Sequence, residues 1–453
     1  MIFRLSLVIL KKIFIFLGLI YESPGGKEIR TGIIDDVISP HNHTKKLGVY
    51  HNATEKEIKL ALEEAKKGRK LWNSLKWQHK ASIFLKMAEL LSNEKWRSKL
   101  CAATVLNQSK NFFQAEIDAA CELIDFLRFN VFFANNIFER QPISDKGIWN
   151  RLEYRGLEGF VYAISPFNFT AIAGNLSLTP VMMGNVALWK PAETATLSGY
   201  HLMQLYKESG LPDGVINFIP NRPTEITPLI LSQPELAGVH YTGSTSVFNM
   251  LFHNVANNIG NYRNYPRIVG ETGGKDFMFV HPSSSSLIDE LSTSIIRGAF
   301  EYAGQKCSAL SRAYIPESIW PTLKESLFEQ LKKVKMGNPE EVDVLVNAVI
   351  SKKSFDRCKS YIEHAKSTTC CKVIYGGKCD DSVGYFVEPT IILTTNPKAK
   401  SLCEEIFGPI LTIYVYPDNQ IDETMDLLND TSPYSLTGSI FGVGKIYFFF
   451  FIT

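Results

Sequence analysis

From Gly159 onward, short wholly apolar runs alternate with longer amphipathic stretches, and this alternation limits the possible folds more than any other feature. Phe160-Val161-Tyr162-Ala163-Ile164 lies between Gly159 and the Ser165-Pro166 pair. A run of strand length without polar alternation, bounded by turn residues, predicts a strand buried on both faces. Helical sequence follows from Ala171, and residues 186–189, closed by Pro191, predict the next strand. A helix over residues 196–209 ends at Gly210 and Pro212. Further strands are predicted at residues 215–219, 239–241, 267–269 and 277–280. Strand and helix alternating through short connections give a mostly parallel α/β sheet. Such sheets bind ligands beyond the carboxyl ends of their strands. The residues there are Asn168, Lys190, Gly243-Ser244 and Glu271.

Upstream, Thr54-Glu55-Lys56-Glu57 is a capping box, and Ile58, Ala61, Leu62 and Ala65 follow at helical spacing. Helices are also predicted over residues 80–91 and about 114–135. On the latter, Asp118, Glu122 and Asp125 share one face, which is ordinarily a solvated one. A second α/β region follows residue 307, with helices near 321–333 and 353–365.

The 453 residues allow two or three domains, and a formal net charge of +2 implies no nucleic-acid partner. The eight cysteines form no CxxC pair and no Cys/His cluster at zinc spacing, so no metal is expected. Reduced thiols in a reducing compartment fit that usage. Residues 1–20 are apolar apart from Arg4, Lys11 and Lys12, and the uncharged run 13–21 is too short to span a bilayer. No small-residue cleavage site follows it, and it lacks the Arg- and Ser-rich composition of a mitochondrial presequence. Stable membrane insertion is not expected. The tail 446–453 is apolar with no polar face, and both ends are expected to lie outside the domain sequence.

Cys307, in Gly304-Gln305-Lys306-Cys307-Ser308, has polar neighbours and a lysine beside the sulfur. A lone cysteine is more often a small buried hydrophobe, but these surroundings favour the reactive thiolate. Asn168 follows the first buried strand and is either a local backbone cap or an amide aimed at a developing oxyanion. Asn168-Phe169-Thr170 is also a glycosylation sequon, and glycosylation would block a strand-end site. Gly243-Ser244-Thr245 should open a helix, whose first N–H groups suit phosphate. Glu271 stands at a strand end beside Gly273-Gly274-Lys275, as a surface glutamate or as a general base made less acidic by partial burial. The paired glycines are no P-loop, since Asp276 follows the lysine and Val269 holds the first glycine position. Glu405 and Phe407 precede Gly408-Pro409, a carboxylate for a ribose diol and a ring for a flat heterocycle.

Six segments in this order, Phe167-Asn168-Phe169, Trp189-Lys190-Pro191, Thr242-Gly243-Ser244-Thr245, Glu271-Thr272-Gly273-Gly274-Lys275, Gly304-Gln305-Lys306-Cys307 and Glu405-Ile406-Phe407-Gly408-Pro409, resemble the NAD(P)-dependent aldehyde dehydrogenase superfamily over roughly residues 41–441. Ala115-Glu116-Ile117-Asp118-Ala119-Ala120, Tyr154-Arg155-Gly156-Leu157-Glu158-Gly159-Phe160 and the stretch 376–386 resemble its L-glutamate γ-semialdehyde (Δ1-pyrroline-5-carboxylate) dehydrogenase branch. Phe248 also stands, as in that branch, where most members carry a glycine.

The resemblance implies a Rossmann-type parallel-sheet cofactor domain over residues 21–272, with part of an oligomerisation arm near 141–158, and an α/β catalytic domain over 273–441. It implies NAD and a small-molecule aldehyde substrate, with oxidation of glutamate γ-semialdehyde to glutamate in proline breakdown. Cys307 becomes the nucleophile, Asn168 the oxyanion donor and Glu271 the base. Lys190 is assigned to the adenosine ribose, and Gly243, Ser244, Thr245, Ser246 and Val247 to the pyrophosphate region. Glu405 is assigned to the nicotinamide ribose and Phe407 to the nicotinamide. Glu122 faces the substrate ammonium, with Ser165, Phe169 and Ser308 lining the pocket. The family is homo-oligomeric, and the branch implies a mitochondrial matrix location. Residues 442–453 leave the family pattern, so the glycine-rich loop for the substrate carboxylate and the subunit-joining strands are expected to be missing. That truncation exposes a sheet edge and predicts poor activity or solubility. The competing readings are another semialdehyde dehydrogenase, for instance for succinate semialdehyde, and an inactive homologue.

Overall fold

The structure, a computed structural model, describes residues 18–20, 24–434 and 436–444. The apolar residues 1–17 and the tail 445–453 lie outside the described residues. The chain divides into two compact units. Lys45–Gln108 and Phe112–Thr272 belong to the first, and Ser39–Thr44, Ser109–Asn111 and the described residues from Gly273 onward to the second.

In the first unit, helix α1 (Glu55–Ser74) starts at the capping box. The Thr54 side chain accepts from the Lys56 N–H, and the Thr54 N–H donates to the Glu57 carboxylate at 3.0 Å. Its apolar positions Ile58, Ala61, Leu62 and Ala65 are all buried. Helices α2 (Trp77–Ser92) and α3 (Glu94–Gln108) follow. The next predicted helix is interrupted by a π-helical turn, Glu116–Cys121, before α4 (Glu122–Glu139). A π turn inserts an extra residue and rotates what precedes it. The expected shared face is split: Asp118 is buried, Glu122 half-buried and Asp125 exposed. Residues 141–158 contain no helix or strand and are mostly exposed.

The larger sheet of this unit has five parallel strands: β1 (Phe160–Ile164), β2 (Ala187–Lys190), β3 (Ile216–Phe218), β4 (Leu236–Thr242) and β5 (Arg267–Glu271). Their spatial order is β3-β2-β1-β4-β5. The crossovers are helices α5 (Thr170–Met182), α6 (Thr196–Glu208), α7 (Pro223–Leu231) and α8 (Thr245–Asn257). Strand order reverses between β1 and β4, the switch point at which open α/β sheets bind ligands. Tyr162, Trp189 and Phe218 are fully buried in the sheet's core, as continuous apolar runs require.

The second unit carries a six-stranded sheet of β6 (Asp276–Val280), β7 (Leu310–Pro316), β8 (Cys371–Tyr375), β9 (Thr390–Thr394), β10 (Ile410–Tyr416) and β11 (Gly438–Phe441), in the order β8-β9-β10-β7-β6-β11. Only the edge strand β8 runs antiparallel to its neighbour. Helices α9 (Ile288–Phe300), α10 (Trp320–Leu331) and α11 (Lys352–Ser367) pack on it through Ile295, Leu327 and Ile362. Among the described residues, no helix is long and apolar enough to cross a membrane.

Candidate active site

The register of the first sheet lines up the candidate residues at one edge. Ile164 is level with Lys190 on one side and Tyr241 on the other, and Thr242 is level with Glu271. The Ser165 N–H donates to the Lys190 carbonyl at 3.2 Å, so the ladder continues into the loop that carries Asn168. That loop is fixed from α3. Gln108 donates through Nε2 to the Phe167 carbonyl and accepts through Oε1 from the Thr170 hydroxyl, 3.1 Å away. Thr104 and Thr170 share a further hydroxyl contact of 2.8 Å. Asn168 is buried, and Phe169, half-buried, is the N-cap of α5. Ser165 is buried too, and its hydroxyl accepts from the Trp189 indole N–H at 3.0 Å. Sequence reasoning missed Gln108 and Thr104. The only available signal was a run of polar residues, Asn107 to Asn111, closing an apolar helix.

Lys190 is only 3 % exposed and its ammonium donates to the Pro191 carbonyl at 3.1 Å. Burial pulls it down to about 8, against the opposing field of the Glu193 carboxylate. At the end of β4 the Gly243 N–H donates to the Glu271 carbonyl at 3.1 Å. The ladder thus takes up the Gly243 N–H. The N–H groups of Thr245, Ser246 and Val247, in the first turn of α8, have no acceptor within the helix. Ser244 is the N-cap and makes no side-chain cap bond. The Thr245 hydroxyl oxygen is buried with no hydrogen-bond partner. An orphaned hydroxyl, a bare helix start and a buried ammonium at a switch point fit a dinucleotide with its pyrophosphate at α8. Phe248 lies against the α-carbon of Gly270, where any side chain would collide with its ring.

Glu271 is exposed, because it ends an edge strand with a neighbour on one side only. Glu122, the first residue of α4, is half-buried.

In the second unit Cys307 lies in a turn between α9 and β7 and is partly exposed. Three successive residues before it, Tyr302, Ala303 and Gly304, have φ of 50°, 50° and 64°. Left-handed backbone costs about 1–2 kcal/mol per ordinary residue, so the surroundings must enforce it. They do so through three contacts. A Cβ on Gly304 would collide with the Gly408 carbonyl. Gln305, fully buried, accepts the Ile350 N–H at 2.8 Å while its own N–H donates to the Tyr302 carbonyl at 3.1 Å. The buried Lys110 ammonium lies 4.3 Å from the Tyr302 ring centroid. The turn closes with the Ala309 N–H on the Lys306 carbonyl at 3.0 Å, and Ser308 is exposed.

Gly273 and Gly274 join this turn to Glu405. The Gly274 N–H donates to the Glu405 carboxylate at 3.1 Å, and a Cβ on Gly274 would lie 2.8 Å from the Cys307 carbonyl oxygen. Burial pushes the Glu405 carboxyl up, opposed by the Gly274 N–H and by the charges of Arg357 and Lys275. Phe407 is held at φ 58°.

Residues 32–446 match the family profile described as Aldehyde dehydrogenase family. The chain belongs to the aldehyde dehydrogenase family. Among the relatives of this aldehyde dehydrogenase, the mitochondrial Δ1-pyrroline-5-carboxylate dehydrogenase of Dictyostelium discoideum is 51% identical over 420 residues, covering 92% of this chain and 75% of that protein. The mitochondrial Δ1-pyrroline-5-carboxylate dehydrogenase of Homo sapiens is 44% identical over 422 residues, covering 93% and 74%. The crystal structure of the Δ1-pyrroline-5-carboxylate dehydrogenase of Mycobacterium tuberculosis bound with NAD superimposes with a TM-score of 0.93 at 43% identity, covering 98% of this chain and 82% of that one.

Proposed function

We propose that this aldehyde dehydrogenase oxidises L-glutamate γ-semialdehyde to L-glutamate with NAD, the step that completes proline breakdown. The relatives at 44–51% identity that carry the name of that activity support the reading. The observation that carries the chemistry is the Gly273–Gly274 wedge, which backs the Cys307 turn on one side and the Glu405 carboxylate on the other.

Cys307 is the nucleophile: its thiolate adds to the aldehyde carbon and gives a thiohemiacetal. The Asn168 amide and the Cys307 N–H donate to the oxyanion, and losing one such donor typically raises a barrier by about 3 kcal/mol. NAD, when bound, accepts the hydride. Cys307 is then left as a thioester, and Glu271 takes the proton of the water that hydrolyses it. Its exposure at the end of β5 gives it access to water. Gly243, Ser244, Thr245, Ser246 and Val247 line the pyrophosphate region, Lys190 and Glu405 hold the two riboses, and Phe407 packs by the nicotinamide. Glu122 pairs with the substrate's ammonium, and Ser165, Phe169 and Ser308 line the pocket. The location is the mitochondrial matrix, in keeping with relatives named as mitochondrial and with eight free thiols.

The test is NADH formation by the purified chain with glutamate γ-semialdehyde and with succinate semialdehyde. Cys307→Ser abolishes turnover. Glu122→Ala raises KM for glutamate semialdehyde and leaves succinate semialdehyde, which has no ammonium, unaffected. Undiminished activity on glutamate semialdehyde in Glu122→Ala refutes the substrate assignment.

A further inference from the structure

We propose that Cys370 and Cys371 form a two-thiol binding site for trivalent arsenicals of the monosubstituted arsenoxide class, on the β8 edge of the second unit's sheet. The two sulfurs lie 3.9 Å apart, and both residues are free thiols with part of their surface in solvent. Adjacency alone does not produce this. Along an extended strand successive side chains point to opposite faces. Here the chain enters β8 through a turn in which the Cys371 N–H donates to the Thr368 carbonyl at 3.2 Å. The Cys370 carbonyl is held by the Thr395 N–H at 3.0 Å and the Thr394 hydroxyl at 3.1 Å. Cys371 is paired with Thr394 in the β8–β9 ladder, and its sulfur lies 3.5 Å from the Thr394 hydroxyl. The backbone that brings the sulfurs together is thus tied to β9 on both residues.

The spacing selects the ligand. Neighbouring α-carbons across a trans peptide are about 3.8 Å apart, short of the roughly 4.4–6.8 Å that disulfides span. A direct sulfur–sulfur bond therefore requires the turn to distort. An inserted atom does not: two bonds of about 2.3 Å at a tetrahedral angle span about 3.8 Å between sulfurs. Zinc makes bonds of that length but wants four protein donors in a closed site. Among the described residues no group of three or more His, Cys, Asp or Glu side chains is placed to hold a metal. An arsenic(III) centre that already carries one organic substituent needs two thiols and nothing else. The arsenic–oxygen bond of the arsenoxide breaks and two arsenic–sulfur bonds form. The oxygen leaves as water with both thiol protons, and arsenic stays trivalent, so no oxidant or reductant is consumed. Burial pushes the Cys371 thiol up, opposed by the Thr394 hydroxyl and reinforced by the neighbouring Cys370 thiol.

The test uses the full chain carrying Cys307→Ser, so that the proposed catalytic thiol is out of play, with phenylarsine oxide as probe and intact-mass and peptide mapping as readouts. The expected result is one phenylarsenic adduct with loss of one water, bridging Cys370 and Cys371. It survives excess 2-mercaptoethanol and is released by 2,3-dimercaptopropanol. Cys370→Ser and Cys371→Ser each weaken binding on the order of 10²-fold, the loss of a second linked attachment. Either serine variant alone removes the pair, so misfolding of one leaves the other as the test. An adduct that maps to another cysteine, persists at full affinity in both serine variants, or is stripped by the monothiol overturns the proposal. With Cys307 intact, Cys370→Ser keeps normal NADH formation, which separates this site from the proposed activity.

Discussion

Replacing Lys275 with methionine removes a buried charge that the second unit carries at a thermodynamic loss. Lys275 is 1 % exposed and its ammonium has no hydrogen-bond partner. Burial and the nearby Arg312 guanidinium pull it from 10.5 down to about 7, against the fields of Glu405, Cys403 and Asp276. Below pH 7 the folded chain holds the proton in an unfavourable place, and the loss is about 5 kcal/mol at 1.36 kcal/mol per pH unit. Between about 7 and 10.5 the unfolded chain binds the proton and the folded chain does not, so wild-type stability rises with pH through that window. At pH 9 the remaining loss is about 2 kcal/mol. Lys275→Met keeps the side-chain length without the charge. At pH 6 it is therefore expected to melt higher than wild type, by on the order of 10 °C for a domain of this size. By pH 9 the gap narrows to less than half. Differential scanning calorimetry of both proteins across pH 6–9 isolates the lysine, because every other titrating group is common to the pair. A gap that does not change with pH, or a methionine variant that melts lower at pH 6, refutes the reasoning.

Gly274→Ala places a methyl 2.8 Å from the Cys307 carbonyl and 3.1 Å from the Leu436 side chain. It should displace the turn and lower kcat by roughly 10²-fold, which steady-state NADH formation measures against an unchanged fold by circular dichroism. Thr245→Val removes the orphaned hydroxyl at the start of α8; KM for NAD should rise about 5- to 10-fold, the equivalent of one hydrogen bond of about 1 kcal/mol, with little change in kcat. Thr54→Ala removes half of the capping box of α1 and should destabilise the first unit by about 1 kcal/mol, read as a lower Tm.

The first unit's sheet was legible where its strands are buried on both faces: Phe160–Ile164 reads from sequence with the observed bounds. Strands that end on polar residues read short at that end. Thr242 and Glu271 at strand ends lie outside an apolar run, yet they extend β4 and β5 to the candidate site. The π turn at Glu116–Cys121 was not legible, since a helix with one extra residue has the same composition as one without it. Nor was the left-handed run legible: Tyr302 and Ala303 are residues that avoid positive φ, and their conformation is imposed by Gly408, Ile350 and Lys110, all distant in sequence. Motif order carried the candidate residues, while the side chains that hold them, Gln108, Thr104 and Gln305, are polar residues whose burial only the tertiary structure reveals.

The bond from the Gly243 amide to the Glu271 carbonyl extends a strand pair by one rung past the end of β4. Mechanically it is a latch. The main chain bearing the proposed base cannot slide outward without pulling on the residue that leads into α8. Rearrangement at one end of that rung is therefore felt at the other, and the Gly243 amide proton should exchange with solvent on the timescale of sheet opening, not of helix fraying.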